Sequence, residues 1–273
     1  VKRLNHIADK ALPILRSIKP TSAPPELIIA ACPIATAIAQ LRRDFQFGNM
    51  WLNSYRKACV SIHLWDDSHQ RDWLLQQIVI SEAFSRKADV ARYIDKLLGL
   101  AKFGSSQWFM LSSMMCTRSM MNKDFKLAGV IALKAVRHEM FRRLRKSEYR
   151  SLLIKAGYAG VLGKNAELES TYRRRMRYNE VDKFHYHLIE IFSSLNGEKY
   201  LRCIDHCNSM IQNYLSKRNR SRNNATLKSN LLRVVNQIKS LEKMTGAKER
   251  LKARLELQVF VQDNLVPSVL ELL

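Results

Sequence analysis

The chain has 273 residues, with 46 Lys or Arg against 24 Asp or Glu, giving a formal net charge of +22 and a pI near 10.1. A hydrophobic content of 47% excludes a disordered polymer. Only nine Gly and six Pro, with no alternating pattern bounded by Asn-Gly or Asp-Gly turns, exclude an all-β fold. The charge restricts partners to polyanions, anionic membrane surfaces or acidic proteins, unless it is scattered over solvated helix faces.

In chain order, residues 2–19 read as an amphipathic basic helix with Leu4, Ile7, Ala11, Leu12 and Leu15 on one side. A kink or break is expected at Pro13. The segment is read as a capping helix, although its composition also suits an organelle presequence. Thr21, Ser22, Ala23, Pro24 and Pro25 form a linker. Residues 27–41 are the strongest apolar run, interrupted by Pro33 and Thr36. They are short for a membrane span and read as a helix buried on all sides. The chain begins with Val, so derivation from something longer is expected.

Five helical hairpins are predicted next: residues 26–45 with 49–64, 68–84 with 87–102, 105–121 with 124–144, 148–162 with 165–178, and 181–195 with 198–216. Their turns carry Gly48-Asn49, Arg86-Lys87, Asn122 to Asp124, Gly163 to Asn165 and Asn196 to Glu198, mostly helix-stopping and capping residues. Ala91, Ala128, Ala132, Ala135 and Ala156 suit close helix crossings. Taking Trp51, Ala88, Phe125, Asn165 and Tyr200 as first positions of the second helices gives spacings of 37, 37, 40 and 35 residues. A period in the high thirties means stacked hairpins that bury their apolar faces against their neighbours. Beyond a basic break at residues 217–224, helices are expected at 225–244 and 247–262, divided by Gly246. The predicted organisation is therefore an N-terminal basic capping helix and linker over 1–25, a repeat array over 26–216, and a basic linker with a helical pair over 217–273. The fold class is all-α, a superhelical array of about five helix-turn-helix repeats with flanking capping helices.

Phe125, Ala128, Ala132 and Ala135 occupy places that resemble the second helix of a tetratricopeptide repeat, and Tyr200, Cys203 and Cys207 fill the same frame with thiols. Tyr149, Leu152 and Leu153, then Tyr186, Leu188 and Ile189, resemble pentatricopeptide units, with Met176 and Met210 closing the second helices. The first helices lack the Trp, Leu and Gly run of tetratricopeptide repeats, and the terminal Pro is missing. The resemblance covers residues 26–216 and implies a helical-hairpin binding array.

Motifs for chemistry are sparse. Gly157 to Asn165 imitates a phosphate loop, but the glycine spacing is one residue too long and no strand precedes it. Cys203, His206 and Cys207 with His185 or His187 invite a zinc site, but the cysteines already fill small core positions. His63, Asp66, Asp67 and His69 read better as a helix N-cap run than as a metal or acid–base group. No nucleophile motif is present. No catalytic residue, metal ligand or cofactor is assigned. The five cysteines read as buried free thiols, the state expected in a reducing intracellular compartment such as the cytoplasm or an organellar matrix. Met114, Met115, Met120 and Met121 read as core filling.

Three basic clusters remain: Arg142, Arg143, Arg145 and Lys146; Arg173, Arg174, Arg175 and Arg177; and Lys217, Arg218, Arg220 and Arg222. They are expected to end successive second helices and to align along one edge of the array. Helix-dipole compensation, worth about 0.3–1 kcal/mol per cation, accounts for one such charge more readily than for four. Nearby Tyr149, Tyr172, Tyr178 and Tyr186 are candidate stacking partners, Tyr172 being also a core candidate. The functional expectation is a non-catalytic binding or scaffold module for a polyanion, RNA first, with an anionic glycan or an anionic membrane surface as other polyanionic partners. The alternatives are an accessory domain of a larger enzyme, such as a bacterial surface-polysaccharide glycosyltransferase, and an adaptor for acidic proteins or a neighbouring domain.

Overall fold

The computed structural model describes residues 2–176, 183–215 and 222–270, and among these every regular element is helical. The chain divides into two compact units, Val1–Leu111 and Ser112–Leu273. The first holds 15 Lys and Arg against 9 Asp and Glu, the second 31 against 15, so most of the net charge belongs to the second.

The first unit contains α1 (Lys2–Ser17), α2 (Pro25–Arg42), α3 (Phe45–Ser61), α4 (Asp67–Ala83), α5 (Lys87–Gly99) and the start of α6 (Ser106–Met121). Each of α1 to α4 packs on the helix that follows it. α1 is one helix through Pro13 and does not break into two there. That ring lies on the exposed side, as does Asp9, whose carbonyl a proline cannot bond. The apolar α2 is buried on one side only: Ile28, Cys32, Ala35 and Ala39 face the core, while Leu27, Ile34 and Leu41 are exposed. Among the described residues it is the one helix long and apolar enough to cross a membrane.

Two readings of the first hairpin are corrected. Gly48 and Asn49 are not a turn but lie inside α3, which starts at Phe45. A Cβ on Gly48 would stand 2.9 Å from the Ala39 Cβ and 2.8 Å from the Ile80 Cδ1, so the glycine serves a close crossing with α2 and α4. Trp51 is not a first position; it sits well inside α3, fully buried. The second helices of the hairpins begin at Phe45, Lys87, Phe125, Ala166 and Tyr200, at intervals of 42, 38, 41 and 34 residues.

The hairpin turns share one backbone geometry. Arg43, Ser85, Lys123, Lys164 and Glu198 each adopt a left-handed conformation with φ between 53° and 58°. The next N–H donates five residues back: Asp44 to Ala39, Arg86 to Ser81, Asp124 to Ser119, Asn165 to Gly160 and Lys199 to Ser194, all at 2.8–2.9 Å. This six-to-one bond closes the first helix in the manner usually served by glycine. The donor residue then becomes the N-cap of the second helix, where Asp44, Asp124 and Asn165 accept a backbone N–H three residues on at 3.0–3.1 Å. Asp124→Ala is expected to cost about 1 kcal/mol in urea unfolding, because one half-buried helix end loses its acceptor.

The second unit continues from α6 through α7 (Phe125–Arg137), a 3-10 turn (Glu139–Arg143), α8 (Lys146–Leu162), α9 (Ala166–Met176), α10 (Lys183–Asn196) and α11 (Tyr200–Met210). A π-helical turn (Ile211–Leu215) extends α11, and α12 (Arg222–Lys243), α13 (Ala247–Phe260), a second π-helical turn (Val261–Leu265) and α14 (Val266–Leu270) follow. α7 packs on α8, α8 on α9 and α10, α10 on α11, α11 on α12, and α12 on α13 and α14. Ala128, Ala132, Ala135 and Ala156 are fully buried, as their place at crossings requires. The methionines divide: Met115 and Met120 are core, whereas Met114 and Met121 are exposed. All five cysteines are buried free thiols, and burial pushes Cys32 and Cys116 up to about 12.

Candidate functional site

The basic residues of the second unit sort into two roles. Arg142 and Arg143 close the 3-10 turn after α7, while Arg145 is the residue before α8 and Lys146 its first. This group therefore lies between two helices and does not end one, contrary to expectation. Arg173, Arg174 and Arg175 do occupy the last turn of α9. Arg177, Lys217, Arg218 and Arg220 lie outside the described residues, and of Arg222 only its backbone position at the start of α12 is described.

Arg175 is a structural cation. Its Nη1 donates to the Val136 carbonyl at 3.1 Å, satisfying an orphan acceptor in the last turn of α7, and its guanidinium lies 5.1 Å from the centre of the Phe141 ring. Phe141 in turn packs on Tyr149 at 4.6 Å. Burial holds the Arg175 guanidinium below its ordinary value, and the neighbouring Arg142 and Arg174 push the same way against Tyr149. Three cations from two segments thus share one neighbourhood. Arg142, Arg143, Lys146 and Arg174 are exposed and make no ion pair or hydrogen bond among the described residues. Arg145 differs, because Glu148 holds it at 2.5 Å.

Arg173 turns inward. Its Nη2 lies 2.5 Å from the Ser193 Oγ, 3.2 Å from Glu190 and 3.8 Å from Glu169. Glu190 is only 1% exposed and also accepts from Arg202 Nη2 at 2.6 Å. Its Oε1 faces Arg173 without the alignment of a hydrogen bond. These side chains line a cleft of about 270 Å³ between α9, α10 and α11, which also receives Asn196 and Lys199. Sequence reasoning missed this cleft. Its one visible signal is a lone acid inside the apolar run from Leu188 to Phe192.

The remaining constellations resolve into packing. Cys203 and Cys207 are buried and share a hydrogen bond that, with burial, raises the Cys207 thiol. His185 Nδ1 meets the Tyr158 hydroxyl at 3.0 Å, and His187 Nδ1 meets His206 Nδ1 at 2.9 Å. Asp66 caps α4 by accepting from the Ser68 and His69 N–H groups, and those bonds, the His69 one foremost, hold its carboxyl below the usual range. Gly157 and Gly160 are helical residues of α8. Tyr172 is fully buried, Tyr186 packs against His187 and His206, and Tyr178 lies outside the described residues. Among the described residues no three His, Cys, Asp or Glu side chains converge on a metal-sized point.

The His187–His206 pair makes stability depend on pH. Burial comes first in holding both rings below the ordinary value of about 6.5, followed by His206 for His187 and by Arg202 for His206. The unfolded chain therefore binds protons that the folded one refuses, and stability falls as pH drops below about 6.5. The midpoint of thermal unfolding is expected to decline between pH 7 and pH 5, with a flatter profile in a His187→Gln, His206→Gln variant. An unchanged profile in that variant would assign the dependence elsewhere.

The chain matches no known protein family, and neither the curated proteins nor the solved structures contain one detectably similar to it.

Proposed function

We propose that the chain is a non-catalytic helical-repeat array of about five hairpins, arranged as a superhelix, that binds RNA through the phosphate backbone at the basic surface around the end of α9. The recurrent turn geometry supports the repeat reading, since five hairpins meet one backbone requirement in one way. One observation carries the functional reading. Arg142 and Arg174 stand beside Arg175, with Arg143 and Lys146 on the same segment as Arg142, and all four are exposed with no ion pair or hydrogen bond among the described residues. Like charges gathered without counter-ions destabilise the free protein, and a phosphate backbone removes that penalty while releasing counter-ions.

RNA is favoured over a bilayer because, among the described residues of the 3-10 turn, α8 and α9, which carry the cluster, no large apolar side chain is exposed to insert into lipid. Planar guanidinium groups also suit both phosphate and base faces. The test is fluorescence anisotropy with labelled single-stranded RNA, an anionic glycan and anionic liposomes across salt. Preferred RNA binding, weakened steeply between about 50 and 200 mM salt, is the expected result. Equal or tighter binding of the glycan or the liposomes would overturn it.

A further inference from the structure

The cleft between α9, α10 and α11 has no role in holding an RNA backbone across Arg142 and Arg174, yet it is built as a receptor for a small anion. Glu190 sits at its base, buried, and positions two guanidinium groups: Arg202 at 2.6 Å and Arg173 at 3.2 Å. Both arginines use only Nη2 for protein contacts, so the Nε and Nη1 groups of each make no hydrogen bond among the described residues. Lys199 joins them at the rim, exposed and without a partner among the described residues. Against these three cations stand two carboxylates, Glu169 and Glu190, both already engaged. The cleft is therefore net positive before any ligand enters.

Two further features fit an anion. Lys199 is the N-cap of α11, a place where an acceptor side chain is favoured and a cation opposes the helix dipole. An anion there relieves both the uncapped N–H groups and the lysine. The volume, about 270 Å³, falls just under the lower bound of about 300 Å³ for pockets that hold drug-sized ligands, so a single nucleotide end fits and a large cofactor does not.

We propose that this cleft takes a terminal phosphate monoester of the bound RNA, an inference that rests on the RNA reading above. A terminal monoester carries about −1.5 to −2 charges and three acceptor oxygens, which matches three convergent cations better than a diester with one charge. Arg173 and Arg174 are consecutive on α9, one facing the cleft and the other the exposed cluster, so one helix end serves both phosphates of a strand and its terminus.

The experiment uses the full chain and three RNAs of one sequence, with a 5′-phosphate, a 3′-phosphate or hydroxyls at both ends, each labelled internally. One of the phosphorylated RNAs is expected to bind about tenfold more tightly than the hydroxyl-ended one, the scale of charge-assisted hydrogen bonds. Millimolar inorganic phosphate, Lys199→Ala or Arg202→Lys should each abolish that preference, while hydroxyl-ended RNA keeps its affinity in Lys199→Ala. Arg202→Lys retains the charge beside Glu190 and so keeps the fold. Equal affinity for the three RNAs overturns the proposal and leaves the RNA reading standing. No binding of any of the three overturns both.

Discussion

Reversing Arg142, Arg143 and Arg174 to glutamate is expected to weaken RNA binding by on the order of 100-fold at about 100 mM salt. The slope of log affinity against log salt should fall by about 2, since each lost phosphate contact on a single strand removes about 0.7. The three residues are exposed and unpartnered among the described residues, so thermal unfolding should stay close to that of the parent chain. Arg173 and Arg175 are left untouched, because one is paired with the buried Glu190 and the other caps α7 through Val136. Reversing Arg43, Lys57 and Lys96 in the first unit changes the net charge equally and serves as the control. If both triple variants lose affinity alike, the chain binds through bulk charge and the cluster is no site.

Gly157→Val is expected to destabilise the second unit by about 3 kcal/mol, at the upper end of the overpacking range. A Cβ at Gly157 would stand 2.7 Å from the Ile189 Cδ1 and 2.7 and 2.9 Å from the Cδ2 and Cγ atoms of Tyr172. The isoleucine methyl can swing aside, but the Tyr172 ring is fully enclosed and cannot. For a unit of this size the loss corresponds to a fall of about 6–12 °C in the calorimetric midpoint. Gly129→Ala supplies the opposite sign: its new Cβ would meet nothing closer than Leu168 Cδ1 at 3.7 Å, and α7 should gain roughly 0.5–1 kcal/mol in helix propensity. A tolerated valine at 157 would mean that α8, α9 and α10 do not cross as closely as described.

The helices and most of their ends are legible in the residues, because capping groups and apolar spacing act locally. Asp124 and Asn165 were readable as helix starts for that reason, and both do cap. Gly48 misleads because glycine serves turns and close crossings alike, and only the approach of Ala39 and Ile80 separates the two. That error moves the first register mark from Phe45 to Trp51. The basic clusters were visible as charge, but their division was not. Whether an arginine is a free cation or a strut depends on partners far along the chain: Glu190 for Arg173, and the Val136 carbonyl for Arg175. Glu190 itself looks like an interruption of an apolar run until its two arginines arrive from α9 and α11.

The left-handed residues at the five turns carry a consequence for how such a chain can drift. Arg43, Lys123 and Lys164 are basic, Ser85 is neutral and Glu198 acidic, and the bonds that close the turns run from main chain to main chain. An L-residue pays roughly 1–2 kcal/mol for that conformation, so the positions are constrained in shape while free in identity. Hairpins secured in this way can exchange many residues without losing the geometry of their turns. Descent from a common unit would then survive as spacing and backbone geometry long after the residues themselves had ceased to record it.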